Sequence, residues 1–193
     1  MGTPTVSETK IVALGANLSS PFGAPRETLA RALRLLDEAG VTIEQCSRWY
    51  STPAWPPGAG PSYTNAAARV VFKGGARELL HILQNVENAL GRVRSQNPSL
   101  RWGARVCDLD FICSGALVSP GLVEWREASA LTPEDPLPEL ALPHPRAHKR
   151  VFVLAPMAEI APRWSHPVLG MTVTEMLEAL PEAERAEAIP MEA

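Results

Sequence analysis

Two leucine stripes at helical spacing, each set between short apolar runs, constrain the fold of this chain more than any other feature. Leu29, Leu33 and Leu36 recur at i, i+4 and i+7 behind Pro25, and Gly40 stops the pattern. Leu79, Leu83, Val86 and Leu90 repeat the design over 76–90, closed by Gly91. Around these helices the apolar runs predict strands over 10–14, 41–50, 66–72 and 105–112. The order is βαββαβ. It predicts an α+β fold of ferredoxin-like type, a four-stranded antiparallel core sheet with helices on one face. Residues 147–158 and 172–180 add C-terminal helices. The second opens on a capping box, Thr172 with Glu175, ahead of a stripe of Val173, Met176, Leu177 and Leu180.

A chain of 193 residues suits one domain. The pattern places it at 10–180, between a flexible N-terminal tail (1–9) and a frayed acidic tail (181–193). Prolines number 19, about twice the ordinary ~5% share, and they gather in two places. Pro53, Pro56, Pro57 and Pro61 stiffen 52–62, and five more punctuate 114–143, where 114–142 reads as a long Pro-rich insertion or loop. Cys46, Cys107 and Cys113 form no C-x-x-C pair, which argues against a disulfide framework. No basic segment leads an apolar one at the N-terminus, and no apolar run approaches 18 residues, so a cytoplasmic protein without a membrane span is expected. Asn17-Leu18-Ser19 therefore reads as a chance match to a glycosylation acceptor.

The chemistry concentrates in Asp108-Leu109-Asp110. In a strand both carboxylates project from one side, roughly 6–7 Å apart along the backbone, while Leu109 turns to the core. Such a pair repels itself unless a cation intervenes, and Mg²⁺ suits oxygen donors that leave room for water and phosphate. From Asn88 to Cys107 the chain has no acidic residue but carries Arg92, Arg94, Arg101 and Arg105. Guanidinium matches phosphate oxygens in a bidentate way, so a polyphosphate could be held by metal on one side and arginine on the other. Phosphate-cradling glycine loops are missing: no G-x-x-x-x-G-K-[ST] occurs, and Gly58-Ala59-Gly60 runs into Tyr63. His144 and His148 stand four apart, but Pro145 intervenes and no cysteine lies near, so zinc is disfavoured. With Arg146, Lys149 and Arg150, His144 reads instead as a second cationic phosphate contact. Tyr63 and Asn65 offer an aromatic face and an amide to a flat heterocycle.

The segment Arg101-Trp102-Gly103-Ala104-Arg105-Val106-Cys107-Asp108-Leu109-Asp110-Phe111-Ile112 resembles the R-W-G-x-R-x-x-D-L-D stretch of the 6-hydroxymethyl-7,8-dihydropterin pyrophosphokinases of folate biosynthesis. The resemblance extends to Leu14-Gly15-Ala16-Asn17-Leu18, Tyr50-Ser51-Thr52-Pro53, Tyr63-Thr64-Asn65-Ala66-Ala67, Glu87-Asn88-Ala89-Leu90-Gly91-Arg92-Val93-Arg94 and Leu142-Pro143-His144-Pro145-Arg146. It implies a monomeric enzyme that moves pyrophosphate from ATP to the hydroxymethyl group of the dihydropterin, releasing AMP. Asp108 and Asp110 would hold two Mg²⁺, with Arg92 and Arg105 completing the catalytic set. Gln84, Glu87, Arg92, Arg105, His144 and Arg150 would surround ATP. The pterin would stack between Tyr63 and Phe152, with Asn65 and Thr52, Pro53 and Trp55 at its edge, and Trp102 closing over the site. The sequence departs from the family at Ala16, where Ser is frequent, in the length of 114–142, and in a slightly extended loop between Arg94 and Arg101.

Two other classes share parts of this pattern. An RNA-recognition module also runs βαββαβ, but no aromatic-rich RNP1-like strand is present and the net charge is −3, so no nucleic-acid partner is expected. A glycosyltransferase using D-x-D would need a larger nucleotide-binding domain.

Overall fold

The computed structural model describes residues 9–54, 58, 60–92, 104–132 and 135–192. Trp55 and Trp102, both expected at the pterin site, lie outside them, as do Arg94 and Arg101 and residues 1–8 of the expected N-terminal tail.

The first strand, β1 (Lys10–Ala16), runs into α1 (Pro25–Glu38). Pro25 occupies the first turn, the Glu27 carboxylate accepts the Ala24 N–H at 2.5 Å, and Gly40 leaves the helix at φ +83°. That left-handed conformation favours glycine, which is why the apolar stripe stops there. The strand expected over 41–50 is split into β2 (Thr42–Cys46) and β3 (Tyr50–Thr52). Ser47 causes the break. Its hydroxyl, rather than a backbone carbonyl, accepts the Ala67 N–H at 3.0 Å, and the next amide, Arg48, turns away to Glu159 at 2.9 Å. β4 (Tyr63–Val71), α2 (Ala76–Ala89) and β5 (Asp108–Ser114) complete the expected order.

All pairings are antiparallel, in the order β5-β1-β4-β3-β6, with β2 beside β3 along the same edge of β4. Among the described residues the sheet has six strands where four are expected. Two come from the split of one strand and one, β6 (Ile189–Pro190), from the C-terminus. The segment expected as a frayed tail forms a short helix, α6 (Glu182–Arg185), and then pairs β6 with Ser51 and Tyr50.

Each face of the sheet has its own core. Val12, Leu14, Ala66, Ala68, Leu109 and Phe111 pack under Leu29, Leu36, Leu79 and Leu83 of α1 and α2. Ile11, Ala13, Ala67, Ile112 and Cys113 pack under α4 (Val151–Ile160) and α5 (Val173–Glu178), whose Thr172–Glu175 capping box is formed. Helices therefore cover both faces: α1 and α2 one side, the C-terminal helices the other. A register shift opposite Ile11/Val12 lets both Ile112 and Cys113 turn to the second face.

The Pro-rich stretch is not an unbroken loop. It carries α3 (Leu122–Ala130), anchored by Trp125, which is 2% exposed and donates its indole N–H to the Pro143 carbonyl at 2.6 Å. Ser119 and Leu142 exchange backbone hydrogen bonds at its base. The three cysteines are free thiols.

Candidate active site

Strand register decides what meets at the open end of the sheet. Gly15 on β1 lies opposite Asn65 on β4 and Asp108 on β5, and Ala13 lies opposite Ala67 and Asp110. Paired residues share a face, so Asn65, Asp108 and Asp110 all project to the side that α4 and α5 cover. Those helices cover only the Ile11–Ile112 end. The other end is a cleft of about 650 Å³. Gly15 keeps its floor low: a Cβ there would stand 3.1 Å from Asn65 Oδ1.

Thr52, Pro53, Tyr63, Asn65, Arg105, Asp108, Asp110, Arg150 and Phe152 all line this cleft, nine of the residues singled out from sequence. The Asn65 amide donates to Thr52 Oγ1 at 2.8 Å, which fixes the amide plane deep in the cleft. Burial raises the pKa of the Tyr63 hydroxyl, so it stays protonated at neutral pH. The Arg150 guanidinium lies 5.5 Å from the centroid of the Phe152 ring, a cation–π arrangement.

Asp108 is gripped from two sides. Arg92 contacts its Oδ1 and Arg105 its Oδ2, and Arg92 also reaches Glu87 Oε1. Burial alone would raise the Asp108 carboxyl; the guanidiniums of Arg105 and Arg92 outweigh it and hold the pKa below the ordinary value. Burial would likewise lower Arg92, but Asp108 and Glu87 raise it, so its charge is secure.

Four expected residues stand behind the cleft wall rather than in it. Glu87 is 1% exposed and accepts the Leu109 N–H at 2.8 Å, so it supports the strand between the two aspartates. Gln84, one turn earlier on α2, is half-buried and does not line the cleft. Arg92 bridges Glu87 and Asp108 from behind. His144 is tied down twice: its backbone N–H donates to the Ile112 carbonyl at 2.7 Å, and its Nδ1 accepts from the Arg146 N–H at 3.2 Å. Burial lowers its pKa, Asp110 opposes this, and Arg150 and Arg146 add to the lowering. His144 is therefore neutral near pH 7 and offers Nε2–H as a donor, not the positive charge expected from sequence. The cations lining the cleft from this segment are Arg146, Lys149 and Arg150. Of these Arg146 is also structural, donating from Nη2 to the carbonyls of Thr132 at 2.6 Å and Asp135 at 2.9 Å. His148 parts from His144 and packs with Trp125 and His166, so the two do not share a helical face.

Asn17 matters more than its chance glycosylation match suggested. It is 5% exposed, its Oδ1 accepts the Arg105 N–H at 2.6 Å, and its Nδ2 donates to the Pro61 carbonyl at 3.1 Å. One side chain thus ties the end of β1 to both the proline loop and the arginine segment. Its place in the Leu14–Leu18 motif was the signal that could have found it. Glu184 and Glu187, from the segment expected to be frayed, also line the cleft.

Among the described residues no group of three or more His, Cys, Asp or Glu is gathered to hold a metal. Asp108 and Asp110 nevertheless form a hard, all-oxygen donor pair on one face. Such a pair leaves most of an octahedral shell to water and phosphate oxygens, a chemistry that fits Mg²⁺ and not a nitrogen–sulfur zinc centre.

The model of the family 7,8-dihydro-6-hydroxymethylpterin-pyrophosphokinase (HPPK) matches residues 11–162. A Synechocystis protein named 2-amino-4-hydroxy-6-hydroxymethyldihydropteridine pyrophosphokinase is 34% identical over 168 residues, covering 87% of this chain and 74% of the relative. A Bacillus subtilis protein of the same name is 34% identical over 151 residues, covering 77% and 75%. In fold, the chain is similar to a Plasmodium falciparum HPPK-DHPS structure, with a TM-score of 0.58, 14% sequence identity, and coverage of 88% of this chain and 45% of that one. Its six motifs, the matched span and these relatives agree: the chain belongs to the 7,8-dihydro-6-hydroxymethylpterin-pyrophosphokinase family.

Proposed function

We propose that this protein transfers the pyrophosphoryl group of ATP to the hydroxymethyl group of 6-hydroxymethyl-7,8-dihydropterin, giving the pterin diphosphate and AMP in folate biosynthesis. The observation that carries the reading is the convergence, in one cleft of a chain of this family, of an aspartate pair and arginines with a stacking and amide-bearing pocket. The hydroxyl oxygen attacks the β-phosphorus and releases its proton to solvent, the bond from that phosphorus to the α–β bridging oxygen breaks, and AMP leaves with the electron pair.

Such a transfer needs positioning and charge neutralisation rather than a protein nucleophile. Tyr63 and Phe152 hold the pterin ring between them, while Asn65, Thr52 and Pro53 read its edge and aim the hydroxymethyl group toward β5. Arg105, Lys149 and Arg150 neutralise the phosphates, and Arg92 and Glu87 hold Asp108 in place from behind. Asp108 and Asp110 would hold two Mg²⁺, which supply Lewis-acid neutralisation of the triphosphate when bound. Trp55 and Trp102 complete the proposed pterin contacts, and His144 and Gln84 the surroundings of the nucleotide.

We read the order β5-β1-β4 followed by β3 and β2 as a ferredoxin-like unit spanning 10–180, elongated by β6. The chain works as a cytoplasmic monomer and binds no nucleic acid. Among the described residues no helix is long and apolar enough to cross a membrane. Asp110→Ala tests the site: turnover is expected to vanish while the melting temperature stays within a degree or two. Retained turnover overturns the assignment of Asp110.

A further inference from the structure

Residues 182–192 lie beyond the family match, which ends at residue 162. They nonetheless reach back to the cleft. α6 packs against α4, and β6 extends the sheet on the β3 edge, pairing Ile189 with Ser51 and Pro190 with Tyr50. Beyond β6 the Met191 N–H donates to the Trp49 carbonyl at 2.8 Å, and Arg26 Nη1 donates to the Glu192 carbonyl at 3.1 Å. This strap sets the exposed side chains of Glu184 and Glu187 in the cleft lining.

Sheet order gives those carboxylates a place. Asp108 and Asp110 stand on β5 at one edge, Tyr63 and Asn65 on β4 in the middle, and the strap joins the opposite edge through β3, which carries Thr52. The acidic strap is thus on the heterocycle side of the cleft, away from the aspartate pair. Carboxylates there repel phosphate and accept N–H groups. The named substrate of the relatives bears such a group, a 2-amino substituent on the pteridine ring.

We propose that Glu184 and Glu187 are specificity-determining residues for the dihydropterin. They accept hydrogen bonds from its amino-bearing edge and act on the pterin rather than on the nucleotide. The proposal rests on the reaction proposed above.

The test uses the full chain and two readouts: calorimetric binding of 6-hydroxymethyl-7,8-dihydropterin in the presence of Mg²⁺ and a non-hydrolysable ATP analogue, and steady-state kinetics. Both glutamates are exposed, so the Glu184→Gln, Glu187→Gln double variant leaves the fold intact. Its Kd and KM for the dihydropterin are expected to rise roughly five- to tenfold, the loss of a charge-assisted hydrogen bond, with the KM for ATP within about twofold of wild type. Glu182→Gln, on the same helix but outside the cleft lining, should change neither. An unchanged dihydropterin Kd overturns the proposal. So does a fall in the KM for ATP alone, which would mean that the glutamates merely repel nucleotide. A wild type that binds the dihydropterin without turning it over refutes the reaction and leaves the strap standing; one that binds none refutes both.

Discussion

Glu87 offers the sharpest test of how the fold supports the aspartate pair. Among its contacts with described residues, its carboxylate, 1% exposed, accepts the Leu109 N–H at 2.8 Å and meets the Arg92 guanidinium. Glu87→Leu removes both. Leaving the Leu109 N–H buried and unpaired costs about 1–3 kcal/mol. Arg92 keeps Asp108 as a partner and is itself partly exposed, so the lost ion pair adds only about 1 kcal/mol. The sum is about 2–4 kcal/mol, which at an m-value of about 2 kcal/mol/M lowers the urea midpoint by roughly 1–2 M. Glu87→Gln keeps an oxygen for the Leu109 N–H and loses only the charge, about 1 kcal/mol, a shift near 0.5 M. Urea denaturation followed by circular dichroism measures both. Equal losses for Leu and Gln would refute the reasoning, because they would make the charge, not the acceptor, the support of the strand. Because Leu109 links the two aspartates, Glu87→Leu should also lower kcat/KM in native buffer more than Glu87→Gln does.

Other consequences follow from single contacts. Asn17→Ala removes the acceptor of the part-buried Arg105 N–H and the donor to Pro61, so it should cost about 1–2 kcal/mol in thermal stability and raise the KM for ATP; an unchanged KM would show that Arg105 needs no such tether. Gly15→Ala places a methyl 3.1 Å from Asn65 Oδ1, so Asn65 must yield by a few tenths of an ångström; weakened dihydropterin binding by calorimetry is expected, and unaltered binding would remove Asn65 from the pocket. Burial holds the imidazoles of His148 and His166 down to about 4, against 6.5 for a free histidine. As pH falls below 6.5 the unfolded chain takes up these protons first, so stability is full above that value and is lost progressively toward pH 4. The melting temperature should fall across that window, by less in His166→Phe, and a flat wild-type profile from pH 7 to 4.5 would refute the assignment.

The sequence made visible what local periodicity encodes. The stripes of α1 and α2 and their glycine stops were legible because each is a run of one chain segment. So was the shared face of Asp108 and Asp110, since strand alternation alone decides it. Contacts between distant segments were not legible. The split at Ser47 depends on its hydroxyl meeting Ala67 and on Arg48 meeting Glu159. α3 buries only Trp125 and Ala128, too thin a stripe to read, and Trp125 is fixed by a carbonyl 18 residues away. β6 is two residues long and contains Pro190; only the exposed edge of β3 makes it a strand. In the site, the sequence makes the residue types legible but not their contacts within the protein: Glu87 accepts the Leu109 N–H and meets Arg92, which in turn meets Asp108, and burial lowers the pKa of His144, all through segments distant in the chain.

In the proposed reaction the β-phosphorus of ATP is attacked and a two-phosphate unit moves. Mass spectrometry of a reaction of the purified protein with ATP, Mg²⁺ and 6-hydroxymethyl-7,8-dihydropterin tests it directly. The expected products are AMP and the pterin diphosphate in equal amounts, with none formed by Asp110→Ala. ADP with a pterin monophosphate would contradict the claim.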